Sequence, residues 1–135
     1  MTFLEKSLRE YNLHESTIKT IECEQALITL TFDCGFKKKN EPLDNCKIIL
    51  TVDHMDSNDA SSNVYVKRGV QKKRREILDE ISLDEFKKLL RKKRLVIDSD
   101  YYSELERSMI IFGTIAKYKI VFKVTEIKKV TYVCA

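Results

Sequence analysis

Two histidines are the side chains best suited to proton transfer near neutral pH, and both have acidic neighbours. His14 is followed by Glu15, and His54 follows Asp53 and stands two residues before Asp56. A carboxylate that orients an imidazole can make it a general base. The second cluster could instead supply metal ligands, although no distant partner residue accompanies it. We predict ordinary loop or strand-edge histidines and no metal; in an enzyme, His14, Glu15, Asp53 and His54 would be the candidates.

Glycines and cysteines are too dispersed to form a known cofactor motif. The three glycines are Gly35, Gly69 and Gly113, and their spacing excludes a dinucleotide fingerprint and a phosphate-binding loop. The four cysteines have no Cys-x-x-Cys pair, and they are Cys23, Cys34, Cys46 and Cys134. Scattered cysteines in apolar stretches usually act as small buried hydrophobes. We therefore expect no cofactor and no catalytic residue.

Positive charge is concentrated in the middle of the chain. The net charge is +4, yet residues 67–94 hold twelve basic and five acidic residues, which gives this segment +7 and the remainder −3. Such a segment can contact nucleic acid or an acidic protein, or it can be a solvated surface. No aromatic residue interrupts the run Lys72–Arg75, so base stacking there is unsupported. The candidate contact residues are Lys72, Lys73, Arg74, Arg75, Arg91 and Lys92.

A second candidate surface is acidic and aromatic. Asp98 and Asp100 flank Ser99, and Tyr101 and Tyr102 follow. The pattern fits a turn with one buried ring or a paired-carboxylate site, but tyrosines are also enriched at protein interfaces. We favour partner binding by Asp98, Asp100, Tyr101 and Tyr102.

Hydrophobic alternation predicts the elements that must position these side chains. Period-two patterns indicate strands at 16–24, 26–32, 46–52, 109–115, 118–125 and 128–134, with shorter ones at 64–66 and 95–97. The runs 26–32 and 46–52 are expected to be antiparallel neighbours, and the last three to form a β-meander. Ser82 and Glu85 mark the start of a helix that ends near Arg94. Residues 3–11 favour a short helix or turn, and 67–81 fit helix or strand equally.

The sum is one α+β domain over residues 1–135. We predict a mostly antiparallel, curved sheet of six to eight strands packed against one or two helices. No apolar run reaches the roughly 18–20 residues that a bilayer requires, and the first residues are too acidic for a secretory signal. We therefore expect a cytoplasmic protein with no membrane association.

Several short patterns resemble those of small uncharacterised bacterial proteins. The chain has Tyr11-Asn12-Leu13-His14-Glu15-Ser16, then the strands through 27–33, and later Asp100-Tyr101-Tyr102 before a hairpin from Ile110 to Val124. Proteins with this pattern are similar to immunity proteins of polymorphic toxin systems, which bind and block a cognate toxin. The resemblance implies a non-catalytic binding role and a protein partner. Glu15 stands where the pattern more often has Asp.

Three functions follow in order of preference. The first is an immunity-like protein that binds another protein. The second is a nucleic-acid-binding protein that uses residues 67–94. The third is a small enzyme of unknown reaction.

Overall fold

The computed structural model describes residues 11–33, 35–38, 41–53 and 63–134, which include twelve strands and one helix. The strands are β1 (Tyr11–Asn12), β2 (Thr17–Glu24), β3 (Leu27–Asp33), β4 (Lys37–Lys38), β5 (Glu41–Pro42), β6 (Lys47–Val52), β7 (Val64–Lys72), β8 (Arg75–Ile81), β9 (Leu95–Ser103), β10 (Ser108–Ile115), β11 (Tyr118–Val124) and β12 (Ile127–Val133), and the helix is α1 (Leu83–Lys92).

Nine strands form one antiparallel sheet in the order β12-β6-β3-β2-β9-β10-β11-β7-β8, and a small second sheet has the order β1-β4-β5. The prediction of a mostly antiparallel α+β fold is confirmed. The main sheet has one strand more than the upper limit predicted, and the described residues contain one helix. The predicted helix at 3–11 lies outside the described residues except for Tyr11, which begins β1.

The alternation of apolar and polar residues explains how β3 and β6 pair. In β3 and β6 every second residue is buried, and Ile28 faces Leu50 while Leu30 faces Ile48. Burying one side of each strand fixes this register, because a slip of one residue would turn the apolar set towards solvent. The predicted antiparallel pair is therefore confirmed. The predicted β-meander of the last three strands is wrong, because β10 pairs with β11 but β12 pairs with β6 at the far edge of the sheet.

Residues 67–81, which the sequence left open, belong to a hairpin. β7 and β8 pair from Val66↔Ile81 to Lys72↔Arg75. Lys73 and Arg74 join them with φ of 46° and 67°. Positive φ at both positions is the mark of the type I′ turn that fits the twist of a two-residue hairpin. The usual Asn-Gly signal is missing, so the turn could not be recognised from the residues.

The main sheet is nearly divided between β2 and β9. These strands pair only at Thr17↔Val96 and Ile18↔Leu95. On one side of this junction lie β12, β6, β3 and β2, here the first strand group; on the other lie β9, β10, β11, β7 and β8, the second strand group. From Lys19 onwards β2 pairs with β3 alone among the described strands.

Helix α1 contacts both strand groups. It begins as predicted, with Ser82 Oγ accepting from the Glu85 backbone N–H at 3.1 Å. Its buried residues are Phe86 and Leu90, and the Phe86 ring stacks on Phe122 of β11 at 5.6 Å between centroids. On the other side α1 packs against β2, where Leu90 lines the space between them. The helix therefore packs across the place where β2 and β9 separate.

Candidate functional site

A groove of about 610 Å³ separates α1 from β2. Its lining residues come from one stretch of β2 and from one side and the end of the helix, and they are Lys19, Thr20, Ile21, Glu22, Cys23, Glu24, Lys87, Leu90, Arg91 and Arg94. The volume falls within the range that ligand pockets usually have. The floor is apolar, because Ile21 and Leu90 are buried, and the walls carry the charges.

The sheet edge in this groove has no strand beside it among the described residues. β9 leaves β2 after Ile18, so residues 19–24 of β2 have a partner strand on the β3 side only. A free edge presents a row of backbone N–H and C=O groups that can pair with another extended chain. The edge and the helix together make a slot with one wall of backbone hydrogen-bonding groups and one wall of side chains.

A β-bulge sets the entrance of this slot. The register between β2 and β3 shifts between Ile18 and Thr20, which leaves Lys19 as the extra residue. Lys19 and Thr20 are both exposed, whereas strict alternation would expose one and bury the other. A bulge of this kind re-aims side chains and ends regular pairing. It accounts for the position of the Lys19 ammonium at the groove.

Three cations on the helix side face Lys19 across the groove. Lys87 and Arg91 are four residues apart, so they share one side of α1, and Arg94 follows just beyond the helix. The Arg94 Nε donates to Asp33 Oδ2 at 3.3 Å. Since Asp33 is the register partner of Thr17, this bond holds the carboxyl end of α1 near the start of β2.

The groove has more positive than negative charge. Its lining holds four cations, and Glu22 and Glu24 are its two carboxylates. Arg94 is already paired with Asp33, whereas the structure gives Lys19, Lys87 and Arg91 no ion pair among the described residues. An acidic ligand would therefore meet cations that hold no competing partner.

The predicted basic contact residues are divided by the structure. Arg91 lines the groove, while Lys92, one residue further, is exposed and is not among the lining residues. Lys72–Arg75 lie at the tip of the β7–β8 hairpin, where residues 71–78 are all exposed, and none of them lines the groove. The two basic runs that the sequence suggested as one surface therefore do not share this groove.

The acidic and aromatic patch lies inside a strand and not in a turn after one, which corrects the sequence analysis. Asp98–Tyr102 belong to β9, and the β9–β10 register shifts between Phe112 and Gly113, opposite Asp98. Asp98 is exposed and accepts a hydrogen bond from Thr114 Oγ1 at 3.0 Å. Tyr101 is 61% exposed and its ring meets Phe112 edge to face.

Asp100 and Tyr102 are the half-buried members of that patch. They face Ile111 and Met109 of β10, which are fully buried. Burial raises the pKa of the Asp100 carboxyl. Burial, and then the charge of Glu104, raise the pKa of Tyr102. Asp100 and Tyr102 therefore lie on the opposite face of β9 from Tyr101.

A partly buried aromatic cluster joins the small sheet to the main one near Asp100. Tyr11 stacks on Tyr132 at 4.2 Å between ring centroids, and Phe36 meets both rings edge to face. The Tyr132 hydroxyl is buried with no hydrogen-bond partner among the described residues. Burial, and next the nearby Asp100 carboxylate, raise the pKa of Tyr132.

Three of the four candidates around the histidines lie in the part of the chain that the structure describes, and they are His14, Glu15 and Asp53. His14 is exposed in the turn between β1 and β2, and its backbone N–H donates to Asn12 Oδ1 at 3.0 Å. Glu15 is exposed, and its φ of 67° fits the turn. Asp53 accepts from Arg107 Nη1 at 2.6 Å, and His54 lies outside the described residues.

Two cysteines lie at the end of the β6–β12 pair. Cys46 is buried, and Cys134 is half-buried beside it, directly beyond the register pair Lys47↔Val133. Burial, and then a hydrogen bond with Cys46, raise the pKa of the Cys134 thiol to about 12. A thiol held in its protonated form is a poor nucleophile and a poor metal ligand.

The described residues contain no group of three or more His, Cys, Asp or Glu residues that could hold a metal ion. Within the same part of the chain, no helix has the length and apolar character needed to cross a membrane.

Sequence reasoning missed most of the groove. Lys19 and Glu22 read as the solvent face of an ordinary strand, and nothing in the residue pattern shows where β9 leaves β2. The one available signal was the imperfect alternation of residues 16–24, which the bulge explains. Three of the four cations belong to the basic segment 67–94, but Lys19 is far from it in sequence, so charge counting along the chain could not place Lys19 with them.

Comparisons with models of protein families, with curated proteins and with solved structures found no match to this chain. The site is therefore interpreted from its own geometry.

Proposed function

We propose that the protein is a non-catalytic binding protein that captures an extended, acidic segment of a partner protein in the groove between β2 and α1. The single observation that carries the proposal is the open edge of β2 at residues 19–24, which lies directly opposite a helix bearing Lys87 and Arg91. An extended segment added to this edge would bond to it through backbone groups and present its side chains to the helix.

Charge favours an acidic segment over a basic one. Lys19, Lys87 and Arg91 have no ion pair among the described residues, so carboxylates of a ligand would be their first partners. Glu22 and Glu24 lie on the strand itself and limit where those carboxylates can sit. The ligand is thus expected to carry its acids on the side that faces α1.

A protein ligand fits the groove better than a nucleic acid does. Strand addition needs a peptide backbone, and none of the ten described lining residues is an aromatic on which a base commonly stacks. The resemblance to immunity proteins supports the same class of partner and names a toxin as the kind of protein that would be neutralised. Blocking a toxin needs affinity and no catalytic centre.

The test is a binding measurement with defined peptides. A labelled peptide of about eight residues covers a strand of this length. One probe alternates Val and Glu and the other alternates Val and Lys, and fluorescence anisotropy reports the dissociation constant of each. The acidic peptide is expected to bind more tightly, with slower hydrogen exchange at the amides of residues 19–24 when it is bound.

The chain offers a matched pair of variants for this assay. Arg91→Glu changes a groove residue, and Lys92→Glu makes the same charge change on an exposed neighbour outside the groove. Arg91→Glu is expected to raise the dissociation constant of the acidic peptide by roughly tenfold, because a charge in the groove that attracts the peptide is replaced by one that repels it. Equal losses in the two variants, or equal binding of both peptides, would refute the proposal.

A second candidate function rests on the hairpin tip. Lys72–Arg75 are four consecutive exposed cations at the end of a two-stranded ribbon, and such a ribbon fits the major groove of DNA. A labelled random duplex in the same assay decides this alternative. Tight, salt-dependent duplex binding that Lys73→Glu with Arg74→Glu abolishes would favour it over peptide capture.

A further inference from the structure

Strand β8 forms an open edge of the main sheet. It pairs with β7 on one side, and the other side has no strand among the described residues. Ile77 and Leu78 of this strand are 40% and 46% exposed. An exposed edge with apolar side chains invites pairing with another chain unless its charges oppose that pairing.

The charges of β8 favour pairing with a second copy of the same strand. In an antiparallel pair centred on Ile77, this residue faces Ile77 of the second copy, and Arg75 faces Asp79 of the second copy. The twofold symmetry creates the Arg75 and Asp79 contact twice. The structure gives neither side chain an ion-pair partner among the described residues.

The neighbouring symmetric registers bring like charges together. Centring the pair on Leu78 places Glu76 against Glu80, twice. Centring it on Glu76 or on Asp79 places two identical carboxylates face to face. Like charges directly opposite in a sheet destabilise it, whereas opposite charges and apolar pairs stabilise it. Among these registers, the one centred on Ile77 alone has complementary partners, since Glu76 there faces the uncharged Leu78.

Apolar contacts at the centre of this register support the same arrangement. Ile77 lies opposite Val70 within the hairpin, and both are on the face that carries the buried Val66 and Ile81. In the symmetric pair, Ile77 and Val70 of both copies would form one apolar row across four strands. This row would cover side chains that are exposed in the single chain.

We propose that two copies of this protein associate through their β8 edges in the antiparallel register centred on Ile77, which makes one continuous sheet across the dimer. The β2 groove lies elsewhere in the fold and is free in both copies, so this inference does not depend on the proposed function. A contact of this size belongs to the weak, reversible class of interfaces.

The oligomeric state is the first measurement. Sedimentation velocity over a range of about 1–500 µM spans the affinities of weak interfaces. A reversible shift from monomer to dimer as concentration rises is expected. A monomer at every concentration would overturn the proposal.

Charge exchange tests the register. Arg75→Asp places Asp against Asp79, and Asp79→Arg places Arg against Arg75, so each single variant is expected to raise the dimer dissociation constant by at least about tenfold. The double variant Arg75→Asp with Asp79→Arg restores opposite charges, so its dimer dissociation constant is expected to return to within about threefold of that of the parent chain.

The control is Lys128→Glu, a charge change at an exposed residue of β12 at the other end of the sheet, and this variant should dimerise like the parent. A double variant as weak as either single one would reject this register.

Cross-linking gives an independent test should a charge variant fold poorly. Ile77→Cys brings two thiols face to face, and oxidised glutathione can convert them to one disulfide while it is reduced to two glutathione thiols. Leu78→Cys leaves its two thiols on diagonal positions about 7–8 Å apart, beyond disulfide reach. Covalent dimer is expected for Ile77→Cys above the level of the parent chain and of Leu78→Cys. Equal cross-linking of the two variants would contradict the proposed centre.

Discussion

At the scale of single residues, Asp100 is the clearest electrostatic cost in the fold. It lies on β9 opposite the fully buried Ile111, and burial raises the pKa of its carboxyl. The Tyr132 hydroxyl lies close enough for the Asp100 charge to act on it. The ionised form of Asp100 is therefore unfavourable in the folded chain.

Asp100→Asn is expected to stabilise the protein near pH 7. The unfolded chain keeps the ordinary pKa of 3.8, so the folded state binds more protons between that value and its raised pKa, and the free energy of unfolding falls as pH rises through this window. Asparagine removes the charge, so the variant should have a higher thermal midpoint at pH 7 and lose this advantage below about pH 4. Thermal unfolding by circular dichroism at several pH values measures both effects.

The control for this prediction is Asp98→Asn. Asp98 is exposed on the same strand and has a hydrogen bond from Thr114, so removing its charge should give no gain at pH 7. A lower midpoint for Asp100→Asn at pH 7, or a gain independent of pH, would contradict the burial argument.

The sequence showed which residue types occupy this patch but not which way they point. Leu95 and Ile97 are buried, and strict alternation would bury position 101 and expose position 100. The register shift at Asp98 reverses that alternation, so Tyr101 is exposed and Asp100 is half-buried. A bulge depends on the partner strand, and a single sequence does not reveal it.

At the scale of elements, local sequence patterns predicted the structure correctly wherever the tertiary packing agreed with them. The helix started at the predicted cap, although the Glu85 carboxylate accepts from Arg68 Nη1 at 3.1 Å and does not return to the cap. Arg68 also lies over the Tyr118 ring at 5.0 Å. The hairpin of β7 and β8 was harder to predict, because Lys73 and Arg74 have positive φ angles, which contacts of the β-carbon disfavour in residues other than glycine.

Replacing this turn with its preferred residues is expected to stabilise the hairpin. Lys73→Asn with Arg74→Gly keeps both positive φ angles and lowers their conformational cost, so the free energy of unfolding should rise by about 1 kcal/mol. Urea denaturation measures the change. Lys72→Gln with Arg75→Gln removes two charges beside the turn without altering it, and this control should show a smaller gain. A gain confined to the control would assign the effect to charge and not to backbone strain.

At the scale of the whole molecule, strand order was beyond the reach of the sequence. β12 follows β11 in sequence yet pairs with β6. β7 pairs with β11, although β8, α1, β9 and β10 lie between them in sequence. Such non-local pairings depend on which apolar faces meet, and many strands share the same alternating pattern. The groove arises from this topology, since it exists where β2 and β9 separate.

The last prediction concerns whether the two strand groups fold as one unit. They share two residue pairs at Thr17 and Ile18, yet their buried side chains form one continuous core, and α1 packs against both groups. A shared core should make unfolding a single cooperative transition. The chain has no tryptophan, so Tyr132→Trp in the first strand group and Tyr118→Trp in the second provide separate fluorescence reporters. In urea, both reporters and the circular dichroism signal are expected to share one midpoint, provided that each variant keeps the dichroism midpoint of the parent. Two separated midpoints would mean that the junction between β2 and β9 divides the chain into two folding units, in contradiction to the single domain that the sequence predicts.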